Sequence, residues 1–130
     1  MQREGVEIGS HTRSHFDCGS SNIAALREEI VGSKDELQRQ LGCPIDYFSF
    51  PFGLPKNISP EAMKMAKDAY RYVFSAYGGM NFVSFGNDEQ HLRRIPHSSD
   101  FWELALSLQG LLEPAPEEPF QEIRAVGRAA

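Results

Sequence analysis

Apolar positions repeat every three to four residues in one long stretch of the chain and crowd into short runs elsewhere, which divides the sequence into elements. Ile23, Leu26, Ile30, Leu37 and Leu41 fall on one stripe and predict a helix over residues 23–41. Ser20, Ser21 or Asn22 can cap it by offering a side-chain oxygen to the open N–H groups of its first turn. Gly42 comes next as the left-handed stop. The opposite face, with Arg27, Glu28, Lys34, Asp35 and Arg39, reads as a solvated charged surface without a function of its own. Ser59-Pro60 marks a second helix start, Ser59 as cap and Pro60 where its missing N–H is no loss. Met63, Ala66 and Tyr70 carry that helix to about residue 70. Residues 100–112 predict a further helix capped by Ser98 or Ser99.

The short apolar runs read as strands: residues 6–10, 46–50, 72–76 and 92–95. Gly53, Pro55 and Asn57 mark a loop, and Gly78-Gly79 a turn. Strands alternating with helices imply parallel neighbours joined by crossovers, because a parallel partner is reached only by a connection long enough to return along the sheet. The fold class is therefore α/β, as a layered sheet or part of a barrel, with its core in the aromatic region between Tyr47 and Phe85.

Composition changes this picture little. The 130 residues, 41% hydrophobic and 24% charged, suffice for one packed domain. That domain is placed at residues 1–112, and the run "EPAPEEPF" opens a Pro/Glu-rich tail at 113–130 that cannot form a helix face and reads as mobile. Thirteen Lys and Arg against eighteen Asp and Glu give a net charge of −5, with the basic residues scattered. A phosphate-tracking surface needs clustered positive charge, so nucleic acid is excluded as a general partner. No apolar run reaches membrane-spanning length and none stands after Met1 as a leader would, so the expectation is a cytoplasmic chain without membrane contact. Cys18 and Cys43 make no disulfide framework or zinc-finger spacing and read as two thiols.

Two segments carry candidate chemistry. In "EIGSHTRSH" the histidines His11 and His15 stand four residues apart, a spacing that on a helical turn puts both imidazoles on one side, near enough to share a metal ion. Two histidines do not complete a catalytic site, which normally takes three protein ligands. Taken alone, the pair is better read as loop or surface histidines bonded to backbone. Ser10, Thr12 and Ser14 add hydroxyls able to orient the rings. In "YFSFPFG" a strand ends in Pro51-Phe52-Gly53, at the sheet edge where α/β proteins place ligands. A backbone N–H there can stabilise a developing oxyanion without side-chain charge. A buried aromatic strand leading into a tight turn is the structural alternative.

The series "GVEIGSHTRSH", a helix ending in Leu-Gly-Cys-Pro, "YFSFPFG", "DAYRYVFSAYGG" and "HLRRIPH" resembles the polysaccharide deacetylase family, the nodulation-factor deacetylase-like carbohydrate esterases, over roughly residues 5–96. The resemblance implies an irregular (β/α) barrel, here partial and lacking its first strands. In that family a divalent metal, usually zinc, is held by an aspartate and two histidines and activates water against an N-acetyl or O-acetyl carbonyl on a sugar. It implies His11 and His15 as metal ligands, the backbone N–H of Phe52 as oxyanion donor, and Pro51, Phe52 and Gly53 as the substrate-contacting turn. The partner implied is an acetylated polysaccharide or oligosaccharide.

The family's first motif, Thr-Phe-Asp-Asp-Gly, supplies the metal-binding aspartate and the general base, and it has no counterpart here. Asp17, Asp35, Asp46, Asp68, Asp88 and Asp100 stand singly. Asp17, two residues past His15, is the one local substitute for the third ligand; His97 reads as an incidental surface residue rather than the general acid. The expectation is thus a truncated deacetylase homologue whose activity requires a ligand from elsewhere. The alternative is a non-catalytic remnant that binds carbohydrate or associates with itself. An exposed sheet edge predicts a homo-oligomer.

Overall fold

A computed structural model of the chain describes residues 5–78, 81, 90–95, 99–109 and 111. The segment expected as a mobile tail and His97 lie outside these residues, as do Ser98 and Gly79.

The long apolar stripe folds as three consecutive helical pieces: α1 (Ile23–Arg27), a π turn (Glu28–Gly32) and α2 (Ser33–Leu41). Of the three candidate caps Asn22 is the one used; its side chain accepts from Ala25 N at 3.1 Å. Gly42 ends α2 with φ 67. Leu26 and Ile30 are fully buried, whereas Ile23 and Leu41, at the ends of the stripe, are exposed. Within α2 the buried position is Ser33, not an apolar residue. Its hydroxyl lies 2.7 Å from that of Ser10 and donates to the Ile30 carbonyl at 2.9 Å. The Tyr70 hydroxyl donates to the same carbonyl at 2.7 Å. This small polar network is enclosed by core, where its groups are stable only because each is bonded.

Three parallel strands form the sheet in the order β1 (Tyr47–Ser49), β2 (Tyr72–Ser75), β3 (His91–Arg93). Tyr47 pairs with Tyr72 and Phe74 with Leu92. The strand expected at residues 6–10 is reduced to a single parallel bridge from Ser10 to Phe48, closed by Ser10 N to Tyr47 O at 2.8 Å and Ser49 N to Ser10 O at 2.9 Å. A 3-10 turn (Pro55–Asn57) leads into α3 (Pro60–Ala69), which Ser59 caps as expected. The last helix, α4 (Phe101–Leu108), begins later and ends earlier than expected, and Asp100, not a serine, caps it, accepting from Glu103 N at 2.8 Å. A carboxylate accepts that bond as well as a hydroxyl does and also suits the positive end of the helix.

The core lies where the helices cover one face of the sheet: Leu26 and Ile30, Ala62 and Ala66 from α3, and Phe48, Val73, Phe50 and Ile45 from the sheet region. Phe48 meets Phe50 edge-on at 4.9 Å and Tyr70 at 5.0 Å. The alternate positions Tyr47 and Tyr72 stack at 5.9 Å on the other, half-exposed face. No helix among the described residues is long and apolar enough to cross a membrane.

Candidate metal centre

Parallel strands send their carboxyl ends to the same side, so the loop leaving Ser10 and the turn leaving β1 must meet. His11 leaves the Ser10 bridge beside Ser49, and its Nδ1 lies 2.6 Å from the Ser49 carbonyl oxygen. A carbonyl only accepts, so Nδ1 carries the proton, and in the neutral imidazole Nε2 then keeps its lone pair. This is the arrangement in which protein metal ligands of this type are held. The His15 ring stands edge-on to His11 at 5.0 Å between centroids, and Phe52 edge-on to His15 at 4.8 Å. The three rings form one row on the sheet's carboxyl edge, and Phe52 is 55% exposed.

His11 and His15 do not share a helical turn; the segment is an irregular loop. Thr12 and His15 have φ 63 and 59, and Phe52 has φ 58; among the described residues these are the non-glycine residues in left-handed backbone. Such residues are strained, persist only where their surroundings fix them, and cluster at functional sites. Thr12 fixes part of the loop itself, its hydroxyl accepting from Phe16 N at 3.0 Å. Glu29 fixes more: one carboxylate oxygen accepts from Arg13 N at 2.8 Å and Ser14 N at 2.9 Å, the other from the Ser14 hydroxyl at 2.7 Å. Partial burial pushes the Glu29 carboxyl up, but the bonds from Ser14 and Arg13 outweigh it and hold its pKa below the usual carboxylate range. Sequence reasoning missed Glu29, although it lies beside Glu28 on the face taken as solvated. Glu28 itself pairs with the Arg13 guanidinium.

The turn at Pro51-Phe52-Gly53 is tighter than a loop. Gly53 N donates to Pro51 O at 2.5 Å, a three-residue turn around the left-handed Phe52, which is a rare and strained form. Proline has no N–H and that of Gly53 is committed, so the N–H that this turn presents is that of Phe52. No described residue accepts from it.

Asp17 does not complete the pair. Its two carboxylate oxygens accept from Gly19 N at 2.9 Å and Asn57 Nδ2 at 2.8 Å, which turns it to the neighbouring 3-10 turn. Among the described residues no group of three His, Cys, Asp or Glu is placed to hold a metal ion. His11 and His15 thus stand as a pair of imidazoles without a third such donor beside them among the described residues. Cys18, fully buried, is no substitute: burial, then the charges of Asp17 and Glu29, push its thiol up to about 12.

The sequence profile described as polysaccharide deacetylase matches residues 1–73. Among solved structures the chain is similar to a polysaccharide deacetylase from Bacillus cereus, with 22% identity and a TM-score of 0.63 over 82% of this chain and 34% of that one. It is also similar to IcaB from Ammonifex degensii, with 18% identity and a TM-score of 0.61 over 85% of this chain and 49% of that one. The chain thus spans about a third to a half of those structures, and at such identities the likeness is one of fold. No curated protein matches it.

Proposed function

This chain belongs to the polysaccharide deacetylase family, and from that premise we propose that His11 and His15 are two ligands of a divalent metal, zinc by family resemblance, in a site that removes N- or O-acetyl groups from a sugar polymer. The observation that carries this reading is the His11 Nδ1–H bond to the Ser49 carbonyl at 2.6 Å, which leaves Nε2 as the donor. Support also comes from the joint exit of both segments at the carboxyl edge of a parallel sheet, read here as an arc of the irregular barrel.

A divalent ion held there supplies Lewis-acid polarisation of the acetyl carbonyl and acidifies water to near neutrality. The chain's own residues do the rest of what is visible. Ser49 orients His11, and the turn leaves the Phe52 N–H without an acceptor among the described residues, so that it can donate to the acyl oxygen as charge develops on it. Loss of a donor in that role costs about 10²–10³ in rate. The Phe52 ring, exposed beside His15, offers an apolar wall to a pyranose face. The third ligand and the general base are acidic residues by resemblance.

Zinc stoichiometry of the purified chain, with and without His11→Ala, tests the reading. Binding lost in the variant supports it; binding that His11→Ala leaves unchanged, or no binding by the unmodified chain, rejects it. Deacetylation of chitin oligosaccharides or acetylated xylan, abolished by a chelator, tests the reaction itself. A second reading, a non-catalytic module binding carbohydrate or itself, draws on the lack of a third donor beside His11 and His15 among the described residues. It predicts oligosaccharide binding without turnover or metal dependence.

A further inference from the structure

A left-handed non-glycine residue is strained and persists only where its neighbours hold it, and the histidine loop contains two, Thr12 and His15. The loop is pinned at its ends by the Ser10 and Cys18 bridges. Between them its backbone N–H groups at Arg13 and Ser14 converge on one carboxylate, that of Glu29. Glu29 belongs to the π turn, and the residues of that turn divide between two tasks. Ile30 faces the core, while Glu28 and Glu29 reach the loop. Turns of this kind are rare and recur at functional sites. Gly32 lets Glu28 lie back over the helix: a Cβ there would come within 3.1 Å of the Glu28 carboxylate.

We propose that Glu29 is a positioning residue for the metal site, its carboxylate clamping the Arg13-Ser14 backbone so that the His11 and His15 rings keep their mutual geometry, and that the π turn serves to aim it there. This rests on the reading of His11 and His15 as ligands. Without the clamp, Arg13 and Ser14 N–H groups bond water instead, the left-handed residues relax, and His15 swings away from His11. Glutamine preserves much of the clamp. Its amide oxygen accepts from both N–H groups, and its NH2 donates to the Ser14 hydroxyl, which accepts as well as it donates.

The test measures zinc affinity by chelator competition for the unmodified chain, Glu29→Ala, Glu29→Gln, Ser14→Ala and His11→Ala, at a temperature where each is folded by circular dichroism. Amide exchange at Arg13 and Ser14 is tracked in the same proteins. Glu29→Ala should weaken zinc binding at least tenfold, the usual scale for a partner behind the ligands, and speed exchange at both amides. Glu29→Gln should restore binding to within a few-fold, with Ser14→Ala intermediate. A purely structural role would lower the melting temperature without shifting the affinity of folded molecules. Unchanged affinity and protection in Glu29→Ala overturn the proposal. Should that variant not fold, Ser14→Ala, which removes the hydroxyl bond to Glu29, decides it, and unchanged zinc affinity and unchanged protection at both amides in Ser14→Ala overturn it. If zinc binding survives His11→Ala, the metal reading fails instead, and the exchange data still settle whether Glu29 clamps the loop.

Discussion

Gly53→Ala perturbs the turn that presents the Phe52 N–H, and its cost can be worked against a neighbouring control. Gly53 has φ 73, and a Cβ on it would lie 2.8 Å from the Ala76 backbone nitrogen and 3.1 Å from the Ala76 Cβ. Gly42 has φ 67 but open space where its Cβ would stand. Each alanine takes on a left-handed penalty of about 1–2 kcal/mol, offset by about 0.4–1 kcal/mol for the less flexible unfolded chain. Only at Gly53 must backbone also move. Ala76 N donates to the Gly53 carbonyl at 2.8 Å, so the displacement threatens that bond, a further loss of about 0.5–1.5 kcal/mol. Gly42→Ala should therefore cost less than about 1.5 kcal/mol and Gly53→Ala about 1 kcal/mol more. In urea unfolding monitored by circular dichroism, that difference moves the midpoint by roughly half a molar unit at a typical slope. Equal midpoints for the two variants would refute the steric reasoning and leave only the φ penalty.

The packing sets three other outcomes. Cys18, buried with its thiol pushed up to about 12, should resist iodoacetamide at pH 8 until the protein is unfolded; rapid labelling of Cys18 in the native state counts against its placement. Glu29 has a folded pKa below its unfolded one, so its contribution is present above the ordinary value of about 4.3 and is lost as pH falls through the lower folded value. Glu29→Gln, which cannot titrate, should flatten the acid limb of a stability-versus-pH curve below about that value, with the neighbouring Arg13–Glu28 pair left in place; superimposable limbs would show that the loop bonds do not form. Tyr70→Phe removes a hydroxyl donating to the Ile30 carbonyl at 2.7 Å in the core, which should cost about 1–2 kcal/mol in denaturant melts. A neutral result would mean that water reaches the Ser10, Ser33 and Tyr70 hydroxyls.

The long helix, its Gly42 stop, the Ser59-Pro60 start and the parallel strands after Asp46 were legible because each arises from local chemistry. A glycine tolerates the left-handed cap, a proline loses nothing at the first helical position, and apolar spacing reports one buried face. The His11 and His15 pair and the Pro51-Phe52-Gly53 turn were legible as a motif series. The helix ends were less so, since at α4 Asp100 competes with Ser98 and Ser99 for one capping role, and sequence does not rank them. The strand at residues 6–10 shrank to one bridge because pairing depends on what lies alongside, not on the apolar run.

Sequence alone determined the alternation of strands and helices, the apolar faces that close the core, and the residue types available at the site. Only tertiary structure decided how those residues are held. The His11 tautomer depends on the Ser49 carbonyl, 38 positions away. The shape of the histidine loop depends on a glutamate from a π turn whose extra residue no periodicity announces. Asp17, the nearest acid in sequence, is turned aside by Asn57. The geometry of the candidate site is set by long-range hydrogen bonds, and these exist only once the parallel sheet has brought its carboxyl ends to one side.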